Sequence, residues 1–159
     1  MNTAVEGNRR TIAPSTEAHW GILPTMTGKV PRTALVVDDE ALIRWSVSEG
    51  LSDAGWHVRQ AGTGADARAA LDALGDAPVV LVLDLRLPDV SDLSLVEYVR
   101  RTRPDAPVIL MTAHGGPDLA RTAAALGVYR LVGKPFDIGT LVSLAEQAYT
   151  SAAWPAAES

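Results

Sequence analysis

The chain has 159 residues, of which 47% are hydrophobic and 21% charged, and it contains no cysteine. This length fits one globular domain, and the lack of cysteine excludes disulfides and thiolate metal sites. The formal net charge is -5, and residues 33–159 hold 10 basic against 17 acidic residues, a balance that argues against a DNA-binding surface.

The first 31 residues differ in pattern from the rest of the chain. They mix polar residues, glycine and proline with scattered apolar side chains, without a period of 2 or 3.6. We therefore predict a disordered tail over residues 1–31, with Met26 as an alternative start. Neither this segment nor a later apolar run such as residues 77–83 has the pattern of a signal peptide or membrane span. We expect a soluble, cytoplasmic protein.

From residue 33 onward, short apolar runs alternate with helical patterns. The runs predict five strands, at residues 34–37, 56–61, 79–83, 108–111 and 128–132. Residues typical of helix ends mark five helices: Gly55 after the first, Thr63 and Gly75 around the second, Ser91 or Asp92 before the third, Pro117 and Gly127 around the fourth, and Asp137 before the fifth. This alternation predicts an α/β domain with a parallel sheet over residues 33–150, followed by a short flexible tail over 151–159.

Polar residues stand at the ends of four predicted strands. They are Asp38 and Asp39 after the first strand, Asp84 after the third, Thr112 after the fourth and Lys134 after the fifth. Because the carboxyl ends of parallel strands meet at one edge of a sheet, we expect these side chains to lie together. Lys134 is also the only lysine in residues 33–159.

These residue types favour phosphoryl chemistry at that edge. Three carboxylates in one crevice repel each other and are typical of a site that shares a divalent cation, for which Mg²⁺ is the natural candidate. A metal-held aspartate can attack a phosphorus atom. The hydroxyl of Thr112, the ammonium of Lys134 and the backbone N–H of Ala113 would stabilise charge on the phosphoryl oxygens.

Four motifs carry a resemblance to a known family. They are Val36-Val37-Asp38-Asp39-Glu40, Leu83-Asp84-Leu85-Arg86-Leu87-Pro88, Met111-Thr112-Ala113 and Lys134-Pro135-Phe136. In this order and spacing, the chain resembles the receiver domain of two-component response regulators. The resemblance implies a flavodoxin-like, doubly wound (βα)5 sandwich with the parallel strand order 2-1-3-4-5.

The same resemblance implies roles for the site residues. Asp84 would take a phosphoryl group from a histidine kinase or phosphotransfer protein and form an aspartyl phosphate. Mg²⁺ would be bound by three groups directly and by a fourth through a water: Asp39, Asp84 and the backbone carbonyl of Arg86, then Asp38. After transfer, Thr112 and Lys134 would hold the phosphoryl group, and the Lys134–Pro135 peptide bond would be cis.

The resemblance also implies a switch that depends on phosphorylation. Phosphorylation would draw the phosphoryl-holding side chains inward and remodel the face made by the fourth helix, fifth strand and fifth helix. On that face Leu131 stands where the family carries Tyr or Phe, and we expect Tyr129 to point to the other face of the strand. Arg86 and His114 occupy positions that tune dephosphorylation in this family, so we expect them to affect the phosphoryl lifetime.

Three other interpretations stay open. Residues 62–67 match a loose dinucleotide-binding motif with Asp84 as its ribose acid, although Gly62 and Thr63 also fit a turn and an N-cap. A Mg²⁺-dependent phosphohydrolase would use a similar nucleophile, although Arg86 stands where that class normally has a second aspartate. A degenerate receiver would serve as a constitutive binding surface.

The C-terminal part of the sequence bears on output and partners. Because 25 residues follow Lys134, we expect a stand-alone receiver without a DNA-binding or enzyme domain, which signals by contact with a downstream protein. We expect a monomer or a phosphorylation-dependent dimer. Trp45 and Trp56 are predicted to be partly buried packing residues, with a partner contact by Trp45 as the alternative.

Overall fold

A computed structural model describes residues 32–90, 93–152 and 154. Five parallel strands form one sheet, in the order β2-β1-β3-β4-β5. The strands are β1 (Thr33–Val37), β2 (His57–Ala61), β3 (Val80–Asp84), β4 (Val108–Thr112) and β5 (Arg130–Gly133). The helices are α1 (Ala41–Asp53), α2 (Gly64–Leu74), α3 (Ser94–Thr102), α4 (Pro117–Ala125) and α5 (Ile138–Ser151). The predicted α/β class and the strand order 2-1-3-4-5 are confirmed.

The sheet is the middle layer of three. On one face, strand residues such as Val36 pack with α1 and α5, including Leu141. On the other face, residues such as Leu35 pack with α2, α3 and α4, including Val99. All five residues of β3 and of β4 are buried, which explains why these strands read as continuous apolar runs rather than as alternating patterns.

Several helix ends follow the predicted chemistry. The hydroxyl of Thr63 accepts the N–H of Asp66 at 3.0 Å, and the three glycines predicted to end helices, Gly55, Gly75 and Gly127, have positive φ. The predicted start of the third helix at Ser91 or Asp92 lies outside the described residues. As described, α3 begins at Ser94, without a side-chain hydrogen bond at its N-terminus.

Some strand limits differ from the prediction by one or two residues. β3 includes Asp84 and β4 includes Thr112, because the ladder continues through the pairs Asp84 with Met111 and Thr112 with Gly133. β2 begins after Trp56, whose N–H donates to the carbonyl of Leu51 instead of to a strand. Asp84 and Thr112 therefore belong to the last residue pairs of the sheet, whereas Asp38, Asp39 and Lys134 follow the ends of their strands.

The two tryptophans behave differently. Trp56 is buried and packs edge-on against Tyr149 of α5, with ring centroids 5.8 Å apart. The prediction is wrong for Trp45, which is 56% exposed on α1, because it lies on the side of the helix that faces away from the sheet. Trp154 donates a hydrogen bond to the carbonyl of Tyr149. The rest of both predicted tails, residues 1–31, 153 and 155–159, lies outside the described part. No helix that the structure describes is long and apolar enough to cross a membrane.

Candidate functional site

The carboxyl ends of β1, β3 and β5 bring four predicted site residues together. Carboxylate oxygens of Asp38, Asp39 and Asp84 all lie within 4.8 Å of one another. The ammonium of Lys134 lies 2.9 Å from Oδ2 of Asp38 and 3.4 Å from Oδ1 of Asp84. Three acids and one base therefore share the edge of the sheet, as the strand-end positions predict.

Asp38 is completely buried and hydrogen-bonded at every polar atom. Its side chain accepts the N–H of Glu40 at 2.8 Å on Oδ1 and the ammonium of Lys134 on Oδ2. Its backbone N–H donates to Ala61, and its carbonyl accepts Nη1 of Arg44 at 2.8 Å. A buried carboxylate is tolerated because these partners replace the lost water. Asp38 is thus a fixed centre around which the other groups are arranged.

Asp84 is the second nearly buried acid of the site. Burial and the nearby charge of Asp38 raise its pKa to about 6, against the opposing effects of Lys134 and of the Arg86 N–H, which lies 3.3 Å from Oδ1. The ionised form is therefore strained by its surroundings at neutral pH. Such a carboxylate gains from any additional positive charge placed beside it.

The ammonium of Lys134 is the positive charge that lies beside Asp38 and Asp84. Burial lowers its pKa, but the hydrogen bond and charge of Asp38, together with the charge of Asp84, outweigh burial and raise the pKa overall. The Lys134–Pro135 bond is cis, as the resemblance implies, and the Lys134 N–H donates to the carbonyl of Thr112 at 2.7 Å. Lys134 stays protonated and is tied to both β4 and β1.

Sequence reasoning missed Glu40 as a site residue. Its carboxylate lies 3.2 Å from the ammonium of Lys134, although its side chain is 60% exposed. The signal was present, because Glu40 follows the Asp38-Asp39 pair directly. The lysine therefore lies among three carboxylates in the described structure, with Glu40 on the solvent side.

The Thr112 hydroxyl is bonded within its own loop. It accepts the N–H of His114 and donates to the carbonyl of His114, both at 3.1 Å. Thr112 is buried, while Ala113 and His114 are exposed. Arg86 is exposed as well. The carbonyl of Thr112 and the N–H of Arg86 contact Lys134 and Asp84, but the hydroxyl of Thr112 would have to rotate away from His114 to reach a group on Asp84.

Leu131 and Tyr129 lie on opposite sides of the sheet, as expected. Leu131 packs against the core next to α2, α3 and α4, whereas Tyr129 packs against the core next to α1 and α5. Strand alternation would place residues two apart on the same face. Tyr129 escapes this rule because it precedes the first residue of β5.

The donor set suits a hard divalent cation. Asp38, Asp39 and Asp84 offer oxygen ligands, and the side chain of Asp39 is exposed. Mg²⁺ binds such carboxylates while keeping several waters, and an exposed ligand leaves room for those waters. The residues present therefore fit the metal that the sequence predicts.

The loose dinucleotide motif at residues 62–67 has a different explanation. A dinucleotide phosphate would need the free N–H groups at the start of α2. Those of Gly64 and Ala65 donate instead to the carboxylate of Asp89, at 2.7 and 2.9 Å. The protein's own acid occupies the position of the phosphate, so the dinucleotide interpretation is wrong.

The response regulator receiver domain family matches residues 34–146. The chain belongs to this family. The receiver is 39% identical over 112 residues to the probable transcriptional regulatory protein TcrX of Mycobacterium tuberculosis, covering 70% of this chain and 47% of that protein. It is 38% identical over 113 residues to the DNA-binding transcriptional regulator NtrC of Escherichia coli K12, covering 71% of this chain and 24% of NtrC. It thus spans a quarter to a half of the length of these relatives.

A solved structure supports the same assignment. The beryllofluoride-activated NtrC4 receiver domain dimer superposes with a TM-score of 0.68 and 34% identity, covering 74% of this chain and 96% of that one. Phosphorylation and Mg²⁺ are general features of the receiver family. The fold, the family and the acidic cluster therefore agree.

Proposed function

We propose that this receiver accepts a phosphoryl group on Asp84 from a histidine kinase or phosphotransfer protein and then signals through contact with a downstream protein. The observation that carries the proposal is the position of Asp84 beside Asp38 and within 3.4 Å of the ammonium of Lys134. Burial and a like charge make this carboxylate reactive, while the lysine offers charge to an incoming phosphoryl group. The family membership supports the same chemistry.

In the transfer step, a carboxylate oxygen of Asp84 forms a bond to phosphorus. The bond from phosphorus to the donor imidazole breaks, and its electron pair stays on the imidazole nitrogen. The ammonium of Lys134 would neutralise a phosphoryl oxygen, because it already lies near Asp84. The hydroxyl of Thr112 and the N–H of Ala113 would donate to the others once the hydroxyl leaves His114.

The metal proposed for this site is Mg²⁺. Asp39, Asp84 and the carbonyl of Arg86 would hold it, and Asp38 would bind through a water. When bound, Mg²⁺ supplies the positive charge that lets anionic phosphoryl oxygens approach the acids. Asp38 keeps Lys134 in place throughout, since its Oδ2 is the nearest partner of the ammonium.

The surface next to the site suits a protein donor. Leu42 and Trp45 are 74% and 56% exposed on α1, which begins three residues after Asp38. Exposed large apolar side chains of this kind are typical of protein contacts. We propose that the phosphodonor protein docks on them.

The output would be a change at the α4, β5 and α5 face. Leu131 lacks the aromatic ring that the family usually carries there. A change in the packing of Leu131 would therefore take the place of the rotation of an aromatic side chain. Phosphorylation would convert a monomer to a dimer, in line with the activated dimer described for NtrC4. The chemistry of the receiver itself would be limited to its own phosphorylation and dephosphorylation.

Arg86 and His114 would set the lifetime of the aspartyl phosphate. Both are exposed and lie two residues beyond Asp84 and Thr112, and their side chains would meet a water that attacks the phosphoryl group. Exchanging both for alanine should change the decay rate of the phosphorylated protein. An unchanged rate would remove this assignment.

The proposal is tested by intact mass after incubation with Mg²⁺ and acetyl phosphate, with wild type beside Asp84→Asn. We expect one added phosphoryl group in the wild type, removed by hydroxylamine, and none in the variant. Released phosphate is measured in the same samples to detect rapid hydrolysis. If neither the adduct nor released phosphate is found, the proposal is overturned in favour of a constitutive binding surface. Turnover of unrelated phosphate esters would instead favour a phosphohydrolase.

A further inference from the structure

One carboxylate ties the loop between β3 and α3 to the start of α2. Oδ1 of Asp89 accepts the N–H of Gly64 at 2.7 Å, and Oδ2 accepts the N–H of Ala65 at 2.9 Å. These two bonds hold the pKa of Asp89 below its ordinary value. Because each oxygen has its own donor, the carboxylate is fixed in orientation as well as in place.

The N–H groups at the start of α2 all have a hydrogen-bond acceptor only because Asp89 accepts two of them. The first N–H groups of a helix have no partner within the helix. The N–H of Asp66 donates to the hydroxyl of Thr63, and the N–H of Ala67 donates to its carbonyl. The two that remain, from Gly64 and Ala65, are those that Asp89 accepts. The contact with Asp89 therefore gives the last two free N–H groups of the helix an acceptor, and it also holds the loop on α2.

Packing shows that the loop sits directly on α2. A Cβ atom at Gly64 would overlap with Cγ1 of Val90, so a glycine is needed for this approach. Val90 pairs with Leu87 in an antiparallel bridge, and both pack in the core next to α2, α3 and α4. The turn of residues 87–90 is thus a closed unit held on α2.

This anchored turn begins one residue after the site. The N–H of Arg86 lies 3.3 Å from Oδ1 of Asp84, and its carbonyl is the proposed Mg²⁺ ligand. Leu87 is buried, and Pro88, which has a restricted φ, joins it to Asp89. Only these two residues separate Arg86 from Asp89, so release of Asp89 would be felt at the Arg86 peptide.

We propose that Asp89 is a positioning residue for the Mg²⁺ site, acting through the peptide of Arg86. The inference rests on the proposed function. With Asp89 in place, the Arg86 peptide, whose N–H lies 3.3 Å from Oδ1 of Asp84, would keep its carbonyl available to the metal. Without it, the turn keeps the core packing of Leu87 and Val90 but loses its two hydrogen bonds to α2, and the Arg86 peptide would be held less firmly.

The test is a calorimetric Mg²⁺ titration of the full chain, with amide hydrogen exchange by NMR on the same metal-free samples. The variants are Asp89→Ala, Asp89→Asn and the control Asp66→Ala, which removes an acid from the same helix start without touching the two bonds. We expect Asp89→Ala to weaken Mg²⁺ binding about tenfold and Asp89→Asn to weaken it less. Exchange at Gly64, Ala65 and Arg86 should accelerate in Asp89→Ala, and Asp66→Ala should bind Mg²⁺ like wild type.

The outcomes separate this inference from the proposed function. Wild type that binds no Mg²⁺ would overturn the proposed function and the inference with it. Wild-type affinity in both Asp89 variants, with faster exchange only at Gly64 and Ala65, would make Asp89 a helix cap and overturn the inference alone. An equal loss of affinity in Asp66→Ala would also overturn it, because the effect would then be one of general charge.

Discussion

The ammonium of Lys134 lies 2.9 Å from Oδ2 of Asp38, a carboxylate with no exposed surface. Asp38 follows β1 and Lys134 follows β5, and two strands, β3 and β4, lie between β1 and β5. The ion pair therefore spans the carboxyl edge of the sheet and links the end of β1 to the end of β5. Without the lysine, the charge of Asp38 would be buried without a cation.

Removal of Lys134 should destabilise the metal-free protein. Lys134→Ala leaves Asp38 buried without a cation and close to Asp84, which should lower the free energy of unfolding by about 3 kcal/mol. Urea unfolding without metal measures this loss. The control is Glu40→Gln, which removes the exposed partner of the same lysine and should cost less than about 1 kcal/mol. Equal losses in the two variants would contradict the account of the buried pair.

Replacement of Asp84 by asparagine should stabilise the metal-free protein at neutral pH. The pKa of Asp84 is raised to about 6 in the folded state, above its ordinary value near 3.8. The stability that Asp84 contributes is complete below about pH 4 and is lost as the pH rises through 6. Asp84→Asn does not ionise, so its advantage over wild type should grow to about 2 kcal/mol by pH 7.

The pH series is controlled by repeating it with Mg²⁺. Unfolding of wild type and Asp84→Asn is followed at pH 4, 5, 6 and 7 (about one unit apart, spanning the shifted range), without metal and with saturating Mg²⁺. The metal should reduce the difference at pH 7, because it relieves the charge of Asp84 only in the wild type. A difference that is constant with pH would mean that the ionised acid is not strained.

Mg²⁺ should stabilise the wild type through the carboxylate of Asp39. A ligand present at about 100 times its Kd adds about 2.7 kcal/mol to the free energy of unfolding. Asp39→Asn should lose most of this gain in scanning calorimetry. Asp53→Asn, which changes an exposed acid at the other end of α1, should keep it. Full stabilisation of Asp39→Asn would remove this residue from the ligand set.

Gly50 should be intolerant of a side chain although it lies within α1. A Cβ at this position would overlap with Cγ2 of Ile138, the first residue of α5. Gly50→Ala should therefore cost about 2 kcal/mol, despite the higher helix propensity of alanine. Ser52→Ala, at an exposed position of the same helix, should change stability by less than about 0.5 kcal/mol.

A double-mutant cycle isolates the cause of that loss. Ile138→Ala removes the methyl group that the new Cβ would meet, so Gly50→Ala should be almost neutral in this background. The free energies of unfolding of the four proteins in urea give the coupling. The same cost in both backgrounds would place the strain elsewhere in α1.

The convergence of Asp38, Asp39, Asp84 and Lys134 could be predicted from the sequence, because the topology of a parallel sheet alone brings strand ends together. The strand order and the cis bond before Pro135 came from the family resemblance. The apolar runs alone indicate where the strands lie, but not the order in which they pair.

Other parts of the site could not be predicted in this way. Glu40, Arg44 and Asp89 act through contacts of a side chain with one lysine or with backbone groups of another segment. Such contacts depend on the geometry of loops, which the spacing of apolar residues does not indicate. Trp45 shows the same limit, since its helical spacing did not say which side of α1 would be covered by the sheet.

The identity of the phosphorylated residue tests the central claim most directly. After reaction with Mg²⁺ and acetyl phosphate, borohydride reduces an aspartyl phosphate to homoserine, and tandem mass spectrometry of the peptides locates it. The account predicts homoserine at position 84 and at no other aspartate. Homoserine at position 38 or 39 would contradict the assignment of Asp84 as the phosphoryl acceptor.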